Sequence, residues 1–248
     1  MPSVSVVMPV LHNERWQKML TRAALDTMRV TTDLKFQSII VEAGTCCFGR
    51  YGSADEPNDC YNSTQPGGRL PTDDVWITLE RPGGPVVDAN EGFRVAAGDL
   101  IVYISNDIFV RPGWLEALLE CYARFPDCGV ATLASSDLKH RPDPGRISEG
   151  VYGPFMMFPR GWEFDAESFP TAFADTDLIT RIYRTGKRSY RNWSVVISHQ
   201  PHTTVRDAVV ADGEEASRRF HEQRQRYAQK HYGCGLLVYE LLVQGHVF

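Results

Sequence analysis

A chain of 248 residues with 43% hydrophobic and 23% charged side chains reads as one globular domain with decorations, large enough to bury its core without cross-links. No apolar run approaches the roughly 18 residues of a membrane span, and the start "MPSVSVVMPV" lacks the basic region and cleavage site of a signal peptide, so the cytoplasm is the expected compartment. The net charge of −5 is uneven: residues 1–180 hold 15 basic and 25 acidic side chains, residues 181–230 hold 11 basic and 5 acidic.

"VSVVMPV" (4–10) is a continuous apolar, β-branched run that suits a strand buried on both faces. A polar turn leads into a helix over 14–29, where Trp16, Met19, Leu20, Ala23 and Ala24 recur at helical spacing. "FQSIIVEAG" (36–44) is a second buried strand ending at Glu42. Strand, helix and strand at this spacing predict a βαβ unit and a parallel sheet. Residues 43–74 are rich in Gly, Pro, Asn, Asp and Ser without an apolar period; a loop of that length is expected to act as a lid or to pack as an ordered insert.

A third strand follows at 75–80, a helix at 88–98 closing on Gly98, and a fourth strand at 99–105. An amphipathic helix at 113–125 and a strand at 128–135 come next. In the second half the pattern predicts a strand over 151–159, a helix over 174–186 closed by Gly186, a short strand over 194–198 and a charged helix over 213–231. The six cysteines, Cys46, Cys47, Cys60, Cys121, Cys128 and Cys234, form no CxxC pair, which argues against structural zinc. Free thiols are expected in a reducing compartment, and a loop disulfide involving Cys60 in an oxidising one.

In open parallel α/β sheets, ligands bind outside the carboxyl ends of the strands. Three strands here end in polar groups: Pro9 to Glu14, Glu42, and Ser105-Asn106-Asp107. A carboxylate in that position can hold a divalent cation, which in turn neutralises a diphosphate. The collinear segments "VSVVMPVLHNE", "SIIVEAG", "NEGFRVAAGDLIVYISNDIFVRPGWLEALL" and "FADTDLITRIYRTGK" together resemble the family-2 glycosyltransferases of the GT-A fold over residues 3–199. The resemblance implies a Rossmann-like, mostly parallel α/β sheet flanked by helices, with the long loop inserted after the second strand.

It also implies a division into a glycosyltransferase domain over 1–205, with a nucleotide-sugar half (1–110) and an acceptor half (111–205), and a helical extension over 206–248. By the same resemblance, "SND" stands at the metal-binding Asp-x-Asp position, with Asp107 as ligand to Mn2+ or Mg2+ and His199 completing the site, His202 being the reserve. Ser105 replaces the first acid of that motif, and Ser105 and Asn106 fall among the donor contacts. Glu42 falls where the family reads the nucleotide base, followed by Ala43 in place of a second acid. Pro9, Val10, Asn13 and Asn90 are implied as further donor contacts. Asp175 matches the catalytic base of inverting transfer, preceded by Ala174 where the family keeps an acid, and Trp162 is implied as a wall for a sugar ring.

The stretch "RIYRTGKRSYR" (181–191) holds five basic residues and no acid. It can be a solvated face paired with acids, or, through Arg181, Lys187 and Arg188, a surface for an anionic acceptor such as modified nucleic acid, a lipid phosphate or an acidic glycan. For Asp177 a capping and ion-pairing role is expected. The expected activity is metal-dependent transfer of a sugar from a nucleotide-sugar, a UDP-sugar above all. The alternatives are a binding module that has lost catalysis and a nucleotidyltransferase. The absence of glycine from "VLHNERWQ" counts against the last.

Overall fold

The computed structural model describes residues 1–11, 15–44, 75–136, 138, 145–200 and 213–233. The long insert from residue 45 to 74, Asn13, His202, the tail after residue 233 and four of the six cysteines lie outside the described residues. Cys121 and Cys128 are buried free thiols.

The apolar first segment forms β1 (Val4–Leu11), followed by α1 (Arg15–Val30), β2 (Gln37–Ala43), β3 (Val75–Thr78), α2 (Pro85–Val95), β4 (Leu100–Ile104) and β5 (Ile108–Phe109). Next come α3 (Trp114–Arg124), β6 (Cys128–Ser135), β7 (Ile147–Glu149), β8 (Phe155–Pro159), α4 (Ala174–Tyr183), β9 (Arg188–His199) and α5 (Gly213–Tyr232). The sheet runs β3-β2-β1-β4-β8-β6-β9-β5, with β7 on the side of β9. β1, β2, β3 and β4 are parallel; β8 runs against both β4 and β6. As β6 and β9 are parallel to each other, the carboxyl ends of β1, β2, β4, β6 and β9 and the start of β8 share one edge.

Helices cover both faces, because both faces of the central strands are apolar. On one side α1 and α3 bury Leu25, Met28, Trp114 and Leu118; on the other α2 and α4 bury Phe93, Leu178 and Ile182 beside Phe158 and Phe164. Trp114 donates its indole N–H to the Met28 carbonyl at 3.2 Å, so the two helices of the first face are joined by a polar bond inside an apolar layer.

Several boundaries differ from the sequence pattern for identifiable reasons. α2 starts at Pro85, three residues early, since a proline at the first helical position arrives with its φ preset and Gly84 before it takes a φ of 93°. It stops at Val95, and Gly98 is a point of close approach instead of a cap: its N–H reaches Ser5 Oγ at 2.8 Å. β9 begins at Arg188, six residues before the expected strand, because "RSYRNW" hides a strand among polar side chains. Ser189 and Asn192 are both fully buried, and Asn192 satisfies its amide on Ala117 O (3.0 Å) and Glu120 Oε2 (2.9 Å). The pairing jumps from Leu133–Asn192 to Ala134–Val196, so Trp193 to Val195 bulge out of the ladder. The short strands β5 and β7, two and three residues long, are too brief for a sequence period of their own.

α5 is tied to α4 by a buried ionic cluster. The Asp177 side chain is fully buried and accepts from Arg181 Nε (2.7 Å), Lys230 Nζ (2.7 Å) and His231 Nε2 (2.8 Å). Lys230 also reaches Asp165 at 2.7 Å. Of the capping and pairing role expected for Asp177, the ion pairing is present, while the helix start at Phe173 has no side-chain cap. Apolar and polar contacts extend the docking: Tyr227 meets Thr180 at 2.7 Å, and Gln223 accepts from the backbone N–H groups of Thr171 (3.1 Å) and Ala172 (2.9 Å).

Two measurements test these contacts. A methyl group on Gly98 would lie 2.5 Å from Ser5 N and 2.7 Å from the Val4 carbonyl carbon, neither of which can retreat without disrupting β1. Gly98→Ala is therefore expected to cost about 3 kcal/mol in urea denaturation. For the ionic cluster, burial would raise the Asp165 carboxyl, but hydrogen bonds from Lys230 and Ser168 outweigh it and hold the group at about 2, below the ordinary 3.8. A folded value below the unfolded one means the contribution is present above about pH 4 and is lost as pH falls toward about 2. Asp165→Asn should lower Tm at pH 7, with the gap to the parent closing at the acid end.

Candidate active site

The edge where the strands end carries the candidate chemistry. β4 stops at Ile104, and the chain turns tightly through Ser105, Asn106 and Asp107, with Ile108 N donating to Ser105 O at 3.2 Å. The three polar residues do three different things. Ser105 is held by its backbone N–H on Pro154 O at 3.1 Å and faces a cavity. Asn106 is buried and donates to Thr21 Oγ1 at 3.2 Å, which anchors the turn to α1.

Asp107 is nearly buried, and its Oδ1 has no hydrogen-bond partner among the described residues. Its Oδ2 lies 3.6 Å from His199 Nε2. β5 pairs antiparallel with β9, Ile108 opposite His199, so the turn just before β5 delivers the carboxylate and the end of β9 the imidazole. Further bonds fix the ring: His199 Nδ1 and the Tyr152 hydroxyl are 2.9 Å apart, and His199 N donates to Ser136 Oγ at 3.1 Å. An orphaned buried carboxylate oxygen costs free energy unless something positive meets it. Asp107 and His199 thus fit as two ligands of a divalent cation, with the second imidazole nitrogen engaged as metal-binding histidines require. Among the described residues no third His, Cys, Asp or Glu joins them.

Asp175 sits in the first turn of α4. The residue that caps this helix, Phe173, has a φ of 64°, a strained backbone for a bulky side chain. Asp175 Oδ1 accepts from Thr176 N at 2.8 Å, while Oδ2 rests on Gly153, where an added Cβ would lie only 1.5 Å away. Gly153 precedes β8 and owes its place to the β4–β8 pairing, so an absent side chain on one element makes room for a carboxylate on another. Asp175, Ser105, Tyr103, Gly153, Phe173 and Phe220 are among the residues lining a cavity of about 420 Å³, within the size range of small-molecule sites. Burial pushes the Tyr103 hydroxyl well above its ordinary value, and the neighbouring Asp175 charge pushes it further, against a hydrogen bond to Ser105. Tyr103 therefore stays a neutral O–H beside the carboxylate.

Glu42 is fully buried at the end of β2 and accepts from Thr78 Oγ1 at 2.9 Å. It stands two strands from β4, on the order of 10 Å across the sheet. Pro9 and Val10 lie near the end of β1 beside it, pairing with Val41 and Glu42. The Val10 side chain belongs to the core, leaving only its backbone to face a ligand.

Other expected site residues are occupied elsewhere. Asn90 uses both ends of its amide on the backbone of Phe164, donating to its carbonyl and accepting from its N–H at 2.9 Å each; it clamps the 161–169 segment to α2. Arg181 binds Asp177 and the Glu163 carbonyl (2.6 Å), and stacks over Trp162 at 5.6 Å. Neither Arg181 nor Trp162 lines the cavity. Lys187 donates to Pro126 O at 3.1 Å, and Arg188 opens β9, paired with Cys128 at the far end of the sheet from His199. With β6 as a ruler, that separation is on the order of 25 Å.

Sequence reasoning did not single out Tyr103, Tyr152, Gly153, Phe173 or Phe220. Tyr103 had a signal, since it stands two residues before Ser105 and so shares its strand face. The others come together only in three dimensions.

No protein-family model matches this chain, and no curated protein matches it in sequence. Solved structures do match in fold. GalNAc-T7, crystallised with UDP, GalNAc and Mn2+, superposes with a TM-score of 0.60 at 13% identity, over 80% of this chain and 44% of that one. The present chain thus spans less than half of GalNAc-T7. The 1–349 fragment of S. aureus TarS superposes with a TM-score of 0.56 at 14% identity, over 92% of this chain and 72% of that one, both by itself and in complex with UDP. Identities this low speak to architecture: the chain has the GT-A fold of these glycosyltransferases.

Proposed function

We propose that this chain transfers a sugar from a nucleotide-sugar, a UDP-sugar in the first place, to an acceptor hydroxyl, with Asp175 as general base. The observation that carries this reading is the shared edge of the sheet: a carboxylate at a helix start opens into a cavity, and the Asp107–His199 pair stands at the ends of neighbouring strands. GT-A neighbours crystallised with UDP, one of them also with Mn2+, support the choice of donor.

In this reading Asp175 takes the acceptor proton as the hydroxyl oxygen attacks the anomeric carbon from the face opposite the leaving diphosphate, with inversion. Gly153 and Thr176 hold the carboxylate in place, and the protonated Tyr103 hydroxyl offers a hydrogen bond beside it. Glu42 is assigned to the base of the nucleotide, as acceptor from its N–H, with Pro9 and Val10 contributing backbone. Asp107 and His199 are the protein ligands for Mn2+ or Mg2+, and that cation, when bound, neutralises charge on the departing diphosphate. Ser105 in place of an acid keeps a hydroxyl for the donor and removes one negative charge from the metal site.

The test is thermal stability with UDP and UDP-sugars, with and without Mn2+: a ligand that binds only the folded state must raise Tm. A metal-dependent rise with UDP is expected. Its absence near millimolar ligand would overturn the donor assignment. A rise without turnover on any acceptor would favour a binding module that has lost catalysis, the reading to which Ser105 and Ala174 lend weight.

Asp175→Asn should lower kcat by about a hundredfold or more with the UDP-induced shift intact. Gly153→Ala should do the same, because its methyl group displaces Asp175 Oδ2; the parent carboxylate is still present, so a normal kcat would show that its position is not what matters. Asp107→Asn should raise Tm in metal-free buffer by replacing a buried charge that lacks a partner on one oxygen with a neutral amide, and should abolish the Mn2+-dependent part of the UDP shift.

A further inference from the structure

Given the transferase reading, the cavity also bears on the acceptor. Among the described residues that line it, Asp175 is the only charged one. Several of the basic side chains behind the positive balance of residues 181–230 are held by acids or by backbone carbonyls elsewhere. Arg181 and Lys230 bind Asp177, and Arg218 and Arg219 bind Glu215, with Arg218 also on Glu222. An anionic acceptor entering this cavity would bring its charge toward Asp175 with no described cation to offset it, an arrangement the low-dielectric interior penalises.

What the cavity offers instead is aromatic. α5 carries Phe220 to its rim, where the ring is 48% exposed. Phe220 lies 5.2 Å from Phe173 at an interplanar angle of 45°, and Phe173 in turn stacks on Tyr227 at 5.6 Å. Tyr227 is buried and bonded to Thr180 of α4, and Gln223 holds Thr171 and Ala172 just before Phe173. A large apolar side chain left half in water, backed by a braced aromatic stack and opening on a carboxylate, is a surface for the apolar face of a ring whose hydroxyl points at the base.

We infer that Phe220 and Phe173 form the acceptor subsite and that the acceptor part entering it is an uncharged sugar ring, not a phosphate-bearing or acidic group. α5 is then part of the substrate site, with Phe220 as a specificity-determining residue.

The experiment is saturation-transfer NMR on the full chain with UDP and Mn2+ present. The probes are the neutral methyl glycosides of glucose, galactose and their N-acetyl-2-amino derivatives, beside their 6-phosphates and uronates. At least one neutral glycoside should show transfer and the anionic counterparts none. Phe220→Ala should weaken that binding by about tenfold, the scale of a lost aromatic face, while Phe220→Trp restores it and both variants keep the UDP-induced Tm shift. Preference for the anionic probes, no binding by any glycoside while UDP binds, or Phe220→Ala binding as the parent does would each overturn the inference and leave the donor reading standing. Failure of UDP itself to bind is a separate result that removes the reading on which this one rests.

Discussion

The arrangement of the site depends on one buried carboxylate. Asp177 has no exposed surface, and taking its charge out of water would cost several kcal/mol if nothing met it. Arg181, Lys230 and His231 supply three donors, and the carboxyl is held below its ordinary value despite burial. Two of those donors come from α5, so the compensation for burying one acid is also what fixes the last described helix to α4. Asp175 is two residues from Asp177 on α4, and Phe220 is ten residues from Lys230 on α5. The cavity between them inherits its shape from a charge that never touches it.

The same economy explains which polar residues are available for chemistry. Asn90, Asn192 and Arg181 bond to backbone or to acids, and Asn106 to the Thr21 hydroxyl, and each holds one segment to another. Asp107 differs, with one buried oxygen unmet among the described residues. Asp175 differs too, since its second oxygen rests against a glycine at the cavity wall. The asparagines and Arg181 thus act as fasteners, while Asp107 and Asp175 are the candidates for chemistry.

Much of the fold was legible in the sequence because it follows from local physics. Apolar runs at 4–10 and 36–44 suit strands covered on both faces, and those strands are there, as is the strand expected over 128–135, the last with its boundaries unchanged. The turn chemistry at Ser105–Asp107 and at Gly113 marked where β4 ends and α3 begins. Legibility failed where the signal was not local. β9 carries buried serine and asparagine in place of apolar residues, and those are tolerable only because Ala117 and Glu120 of another helix meet the asparagine.

For the site, the sequence by itself determined the chemical groups and the edge at which they gather: Glu42, Ser105, Asp107, Asp175 and His199, each at the end of a strand or the start of a helix. It determined this because chain direction in a parallel sheet sends every strand end to the same side. The tertiary structure alone decided what surrounds those groups. It placed Gly153 under Asp175, Tyr152 behind His199 and Phe220 at the cavity rim, and it moved the basic residues of 181–191 into ion pairs, backbone contacts or the far end of the sheet. Those outcomes depend on register between distant strands and on the docking of α5, which are set by the packing of the whole core and leave no trace in the residues flanking each position.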